Sequence, residues 1–390
     1  MLPYASDTPL KRPPMVTILL MIVNTTIGIA MILLPGGSII SKYGLQPQHL
    51  SWINLFTYQF MHTSPDHLII NMAYIWVFGA GVEEAIGSKM MLLLYLIGGI
   101  VGGVLQSLVS DAFLHSGMTY PIVGASASCA ALIGLFAVRY YRARLSFTMI
   151  PFRPHVVTVL SIFLTYEIGS GLWDLSQGAY GGSVAHWAHI GGFVTGMTFG
   201  HLLHMEKEGQ KAYLTSDAEN AITQSKPGEA LRRWERLLLL QPENIDAMVE
   251  LARAWYLLED TEQAGEFYSI ALHKALETSR MEQATKIYTE LRKYNITIEE
   301  ISPIGWLHLA GGLEEVKQFD LAEDVLTHIY LNFPGSSEAE KALLRAAAIS
   351  FQPLGRLDEA FSKLNLYLHL YPHSAWKGFA EEMLRKISSQ

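Results

Sequence analysis

Charged residues are distributed very unevenly along this chain of 390 residues. Of its 28 Lys/Arg and 36 Asp/Glu, only 8 and 7 lie in residues 1–205, and the other 20 and 29 lie in residues 206–390. Because a bilayer crossing takes about 20 mostly apolar residues, the nearly uncharged first part predicts a membrane domain. The second part, with a net charge of −9, predicts an acidic water-soluble domain and disfavours nucleic-acid binding.

Six apolar stretches in the first part are long enough to be transmembrane spans. They are Met15–Leu34, His67–Val82, Met90–Ser110, about Ile122–Val138, Pro154–Trp173 and about Ser183–Met205. Core helices of a soluble protein are the alternative, but six such lengths in 205 residues favour spans. The loops richest in Lys/Arg place the N-terminus, the even-numbered loops and the C-terminal part in the cytoplasm. We therefore expect a multi-pass protein of a cell's inner or plasma membrane.

Four polar residues within these spans form a chemically complete set: His67, Asn71, Ser126 and His189. Each lies in the first third of its span, and their three spans run in the same direction, so all four lie at a similar depth. Taken alone, a serine in a membrane helix is explained by a hydrogen bond to a backbone carbonyl of its own helix. A histidine or asparagine there is explained by a hydrogen bond between two helices. Together they supply a nucleophile, a base and two donors for an oxyanion, with no metal ion or cofactor required.

Three sequence motifs carry a family resemblance. They are Phe56-Thr-Tyr-Gln-Phe-Met-His62 with His67-Leu-Ile-Ile-Asn71 and Gly79-x3-Glu83-x3-Gly87, then Gly124-Ala-Ser126, then Ala188-His-Ile-Gly-Gly192-x3-Gly196. In this order, over roughly residues 13–205, they resemble the rhomboid family. The resemblance implies proteolysis of single-span membrane proteins within the bilayer by a Ser126–His189 dyad without an aspartate. It also implies an oxyanion hole formed by His67, Asn71 and the Ser126 backbone N–H.

The sequence departs from the family pattern beside the serine. Ala127 stands where the family has glycine, and Ala130 stands where it often has tyrosine. The Trp-Arg pair common in the family's first loop is not evident, and Trp52, Ile53 and Asn54 occupy that region. These departures leave the dyad intact, but they put the catalytic strength and the packing of spans four and six in question.

Several alternatives to this interpretation exist. Ser128 is a second candidate nucleophile and His186 a second candidate base. Glu167 lies in the middle of span five, about 10 Å below the serine by helical rise, so it is given no chemical role. A catalytically weak or inactive rhomboid-like protein that binds or escorts membrane proteins is the main functional alternative. A transporter would carry its polar residues near the bilayer midplane.

The C-terminal part contains a helical repeat. After a membrane domain at 1–205 and a polar linker at 206–225, an alanine followed four residues later by a large apolar residue recurs through residues 226–390. The pairs are Ala230/Trp234, Ala264/Tyr268, Ala284/Tyr288, Ala322/Leu326 and Ala360/Leu364. This pattern resembles tetratricopeptide repeats, whose stacked helices form a concave surface that binds protein partners, although an ordinary helical bundle is the alternative. The predicted fold is all-α: a six-span rhomboid-like bundle followed by a soluble repeat domain.

Overall fold

The computed structural model describes residues 2–33, 37–113, 121–177, 184–298 and 301–389. It divides into two compact units, Met1–Gln210 and Lys211–Gln390. Two predicted span ends, Leu34 and Ser183, lie outside the described residues.

Helices make up most of the first unit. They are α1 Met15–Leu33, α2 Gly37–Tyr43, α3 Trp52–Thr57, α4 Pro65–Tyr74, α5 Ala80–Ile86, α6 Ser88–Phe113, α7 Ser126–Arg139, α8 Val156–Gln177 and α9 His186–Leu202. A short 3₁₀ turn, Tyr58–Phe60, follows α3, and a π-helical turn, Ile75–Gly79, joins α4 to α5. Two strands, β1 Pro3–Ser6 and β2 Leu145–Phe147, pair antiparallel.

Four helices of this unit are long and apolar enough to cross a membrane. They are α1, the continuous helix Pro65–Ile86, α6 and α8. The helices at the fourth and sixth predicted spans are shorter, with 14 residues in α7 and 17 in α9. The predictions of an all-α fold class and of several membrane-length helices are thereby confirmed, while the count of six spans stays a prediction.

Helix α7 lies at the centre of the first unit, where backbone atoms approach α9 closely. A methyl group added to Gly196 would lie 1.9 Å from the carbonyl oxygen of Ala131, and one on Gly192 would lie 2.1 Å from that of Ala127. Glycines permit this contact because they have no Cβ. The methyl of Ala127 faces Gly102 of α6, where an added Cβ would lie 2.9 Å from it. The alanine that replaces the family's glycine is therefore accommodated by a glycine on a neighbouring helix.

The residues predicted to form a polar linker instead form helix α10, Met205–Thr223. Leu214, Ala218 and Ala221 are buried and share one apolar cluster with Trp234. Their spacing of four and three residues places them on one helical face, which explains why a segment of polar average composition is helical. The physical signal is the apolar stripe, which the overall composition hides.

The second unit continues as a chain of short helices. They are α11 Pro227–Leu240, α12 Ile245–Leu257, α13 Thr261–Glu277, α14 Met281–Tyr294, α15 Pro303–Glu315, α16 Phe319–Asn332, α17 Ser337–Phe351, α18 Leu357–Leu370 and α19 Lys377–Ser388. From α11 onward each helix contacts the next, and α13, α15, α17 and α19 also contact one another in turn. The five alanines of the predicted repeat are all buried. Stacked helical hairpins pack in this way, while the assignment to tetratricopeptide repeats stays a prediction.

A buried carboxylate ties three helices of this unit together. Glu323 of α16 is 5 % exposed and accepts hydrogen bonds from Ser350 Oγ at 3.0 Å, from Arg356 Nη1 at 2.8 Å and from Lys363 Nζ. Burial alone would raise the pKa of Glu323, but the hydrogen bond and positive charge of Lys363, with Ser350 and Arg356, lower it. The network is internal to the stack, since its donors come from α17, α18 and the loop between them.

Candidate active site

Ser126 is the first residue of α7. The residues before it are not helical: Ile122 pairs with Leu45 in an isolated β-bridge, and Gly124 has a φ of +130°, which side-chain-bearing residues rarely adopt. The helix therefore begins at the serine, with Ala125 as an N-cap that makes no side-chain hydrogen bond. The start of a helix has unpaired N–H groups and favours a negative charge, which suits an oxyanion forming at Ser126.

His189 faces the serine from the first turn of α9. Its Nε2 lies 2.8 Å from Ser126 Oγ. The start of α9 is held by Gln106 of α6, a fully buried residue whose Oε1 accepts from the backbone N–H groups of Trp187 at 3.0 Å and Ala188 at 3.2 Å. A side chain from another helix thus caps α9 and fixes the turn that carries the imidazole.

His67 and Asn71 approach the same place from α4. The N-cap Ser64 accepts from the His67 backbone N–H, so the helix begins just before the histidine. Asn71 Nδ2 donates to the His67 carbonyl at 3.1 Å and lies 3.2 Å from His62 Nε2. A Cβ on Gly124 would lie 2.7 Å from the His67 ring and 3.9 Å from Asn71 Nδ2. Both side chains therefore border the segment that leads into the serine.

The two rival residues have other contacts. Ser128 is fully buried, and its hydroxyl donates to Gln59 Oε1 at 2.9 Å. His186 Nδ1 lies 2.7 Å from Glu167 Oε2, and Tyr166 packs edge-on against its ring, with the centroids 5.7 Å apart. Among the contacts of the described residues, Ser126 and His189 form the one between a serine hydroxyl and a histidine ring.

The position of Glu167 in span five predicted that it would lie below the site. The structure instead places it at the site. Its Oε2 lies 3.0 Å from His189 Nδ1 and is the same oxygen that contacts His186. The prediction was wrong because helical rise gives relative depth only when the helices are parallel and end at the same level. In the structure, the middle of α8 packs beside the first turn of α9.

Sequence reasoning therefore missed two residues of the site. Glu167 carried a usable signal, because an ionisable residue within a span marks a functional site by default. Gln106 carried none, since one amide in an apolar helix has no pattern that points to the end of another helix.

Comparison with known proteins shows a family similarity in the part of the chain that contains this site. Residues 49–206 match the family model described as Rhomboid domain. "RHOMBOID-like protein 6, mitochondrial" of Arabidopsis thaliana is 29% identical over 173 residues, covering 44% of this chain and 50% of that protein. "RHOMBOID-like protein 4" of the same organism is 32% identical over 149 residues, covering 38% and 33%. "Presenilin-associated rhomboid-like protein A, mitochondrial" of Danio rerio is 26% identical over 157 residues, covering 38% and 37%.

Part of the chain is thus similar to the Rhomboid domain, and the apolar helices indicate a multi-pass membrane protein. The chain spans half or less of the length of these relatives. A solved structure titled "Crystal structure of APC/C hetero-tetramer Cut9-Hcn1" is similar at 13% identity and a TM-score of 0.21, over 82% of this chain and 75% of that one.

Proposed function

We propose that this chain is an intramembrane serine endopeptidase that cleaves single-span membrane proteins. The observation that carries the proposal is the 2.8 Å contact between Ser126 Oγ and His189 Nε2, inside the segment that matches the Rhomboid domain. A serine hydroxyl is a weak nucleophile until a neighbouring base takes its proton, and this pair is within reach for that transfer.

In the proposed reaction, Ser126 Oγ attacks the scissile carbonyl carbon while its proton passes to His189 Nε2. The tetrahedral intermediate collapses when the imidazolium returns that proton to the leaving amine, which breaks the peptide bond and leaves an acyl ester on the serine. Water then attacks the ester, gives a proton to His189, and the carboxylic acid product leaves as the proton returns to Ser126. No metal ion or cofactor enters these steps.

The negative oxygen of the intermediate needs donors. We assign this role to His67, Asn71 and the Ser126 backbone N–H, because the first two border Gly124 and the third opens α7. Fixed donors in a site shielded from water are worth roughly 10²–10³ in kcat each. Gly124 is central to this arrangement, since any side chain there would displace the His67 ring.

The membrane arrangement forms part of the same proposal. We assign one span to each of α1, the helix Pro65–Ile86, α6, α7, α8 and α9, with the N-terminus and the helical repeats in the cytoplasm. Loops rich in Lys/Arg support this orientation. Substrate helices would enter from the lipid bilayer between spans of the bundle.

Labelling with a serine-directed fluorophosphonate tests the proposed activity. We expect the full-length protein in detergent or liposomes to be labelled, and the Ser126→Ala variant to lose the label, because the reagent needs an activated hydroxyl. Ser128→Ala is the matched control and should keep the label. Labelling that survives in Ser126→Ala would exclude Ser126 as the nucleophile. A folded parent that shows no Ser126-dependent labelling and cleaves no membrane-anchored substrate would favour an inactive relative that binds or escorts membrane proteins.

We further propose that residues 226–390 bind protein partners or substrates. The stacked hairpins of α11–α19 support this, since such stacks form extended binding surfaces. Because Leu214 and Ala218 of α10 belong to the buried cluster of the second unit, the deletion that tests the idea should begin at Lys211 rather than within the unit. We expect the truncated protein to keep its fluorophosphonate label but to lose co-purifying partners or cut a different set of substrates. An unchanged set of both would refute the proposed role.

A further inference from the structure

The carboxylate of Glu167 lies between two imidazoles of α9. Its Oε2 is 2.7 Å from His186 Nδ1 and 3.0 Å from His189 Nδ1, and the Glu167 side chain is 5% exposed. We propose that Glu167 is a positioning residue that holds His189 in the tautomer and orientation needed to accept the proton of Ser126. The site is then a Ser–His–Glu triad rather than a dyad, an inference that rests on the proposed protease function.

The two ring nitrogens of His189 face different partners. A neutral imidazole carries one N–H, and Nε2 must be free of its proton to accept one from Ser126. The proton must therefore be on Nδ1, which faces Glu167. An ionised carboxylate accepts hydrogen bonds and donates none, so Glu167 favours the Nδ1–H tautomer. It also provides the counter-charge when His189 becomes an imidazolium, which is the role of the acidic member of a serine-protease triad.

The Glu167–His189 contact is close but does not have the angle of a regular hydrogen bond, since His189 Nδ1 has no hydrogen-bond partner by geometry. Catalytic hydrogen bonds are often poorly aligned before substrate binds and improve in the complex. The better-aligned contact is with His186. His186 thus fixes the carboxylate, and the same oxygen remains in reach of His189.

A carboxylate in an apolar helix is costly unless it is paired. In the part of the chain that the structure describes, the ionisable side chains that contact the Glu167 carboxylate at salt-bridge distance are His186 and His189 alone. A role limited to joining α8 and α9 is the simpler explanation of such a pair. However, α8 also contacts α9 through Gly171, where an added Cβ would lie 3.2 Å from the Trp187 ring. This apolar contact does not depend on the carboxylate, so the two helices need not separate when it is removed.

The test compares Glu167→Gln with Asp174→Asn in the full-length protein. Asp174 is a second buried acid on α8 and is the matched control. We expect Glu167→Gln to lower kcat for a membrane-anchored substrate by roughly 10²–10⁴-fold with KM unchanged, because Glu167 does not contact substrate. Asp174→Asn should resemble the parent in both constants. A merely structural role would instead raise KM or reduce the folded fraction.

A second measurement does not depend on activity. ¹⁵N NMR of histidine-labelled protein at alkaline pH reports the tautomer of each neutral imidazole, and the His189 signal is assigned by its loss in His189→Asn. We expect Nδ1–H in the parent and in Asp174→Asn, and a shift toward Nε2–H in Glu167→Gln. If the parent cleaves substrate and Glu167→Gln cleaves it equally well, the proposed triad is wrong.

The two measurements also separate this proposal from the protease proposal. If the parent neither cleaves nor labels, the protease function fails, and the tautomer alone decides the role of Glu167: an unchanged tautomer refutes it, and a changed one supports it. If Glu167→Gln does not fold, Glu167→Asp takes its place. The aspartate side chain is shorter by one methylene, so its carboxylate lies farther from His189, and this variant should lower kcat roughly tenfold or more. A parental kcat in Glu167→Asp would refute the positioning role.

Discussion

His189→Asn is expected to lower kcat for cleavage by roughly 10⁶-fold, the loss found when a serine protease loses its base. Asparagine can still hydrogen-bond to Ser126, but it does not accept the hydroxyl proton at neutral pH, so the nucleophile stays protonated. The 2.8 Å contact from Nε2 to Oγ is the structural basis of this expectation. The measurement is single-turnover cleavage of a membrane-anchored substrate in liposomes, with circular dichroism to verify folding.

Two further variants sharpen this prediction. Because the nucleophile and the base act as a unit, Ser126→Ala combined with His189→Asn should be about as slow as either variant alone. His201→Asn is the control on the same helix, since His201 is exposed and its contact is with Glu206 at 3.5 Å; it should cleave at the parental rate. Effects that multiply in the double variant would mean that Ser126 and His189 act separately, and the dyad would be excluded.

Much of the site was predictable because it follows from helix periodicity and from the cost of polar groups in a membrane. His67 and Asn71 are four residues apart, and the structure places them on one side of α4 beside Gly124. Ser126 and His189 were paired by their common depth, and the structure brings them into contact. Such inferences need only the order and direction of the helices, which charge and apolar length indicate.

What was not predictable depends on where helices begin and how they pack. Glu167 reaches His189 because the middle of α8 packs beside the first turn of α9, and apolar runs define neither helix ends to within one turn nor how two helices pack. The room for Ala127 likewise depends on Gly102 of another helix. Helix α10 was missed because three apolar residues are few in a polar segment, although they form one buried stripe.

Gly196→Ala is expected to destabilise the membrane domain by about 3 kcal/mol or more, at or above the upper end of typical overpacking costs. The added Cβ would lie 1.9 Å from the Ala131 carbonyl oxygen and 2.8 Å from its carbon. Because the neighbour is backbone rather than the end of a flexible side chain, α7 and α9 must move apart. Gly196 is two turns from His189 on α9, so this movement would also lengthen the contact with Ser126, and a misplacement of about 1 Å can cost 10²-fold in rate.

Thermal unfolding of the full-length protein in detergent measures the loss of stability, and fluorophosphonate labelling measures the loss of the site. Gly169→Ala is the matched control, because Gly169 is exposed on α8 and an added Cβ would have no neighbour within 4 Å. Alanine is favoured over glycine by up to about 1 kcal/mol within a helix, so this variant should be as stable as the parent or slightly more so. If Gly196→Ala unfolds at the parental temperature and labels normally, α7 and α9 are not packed backbone to backbone at this point. The position of His189 would then have to depend on other contacts, with the Gln106 cap of α9 the first to test.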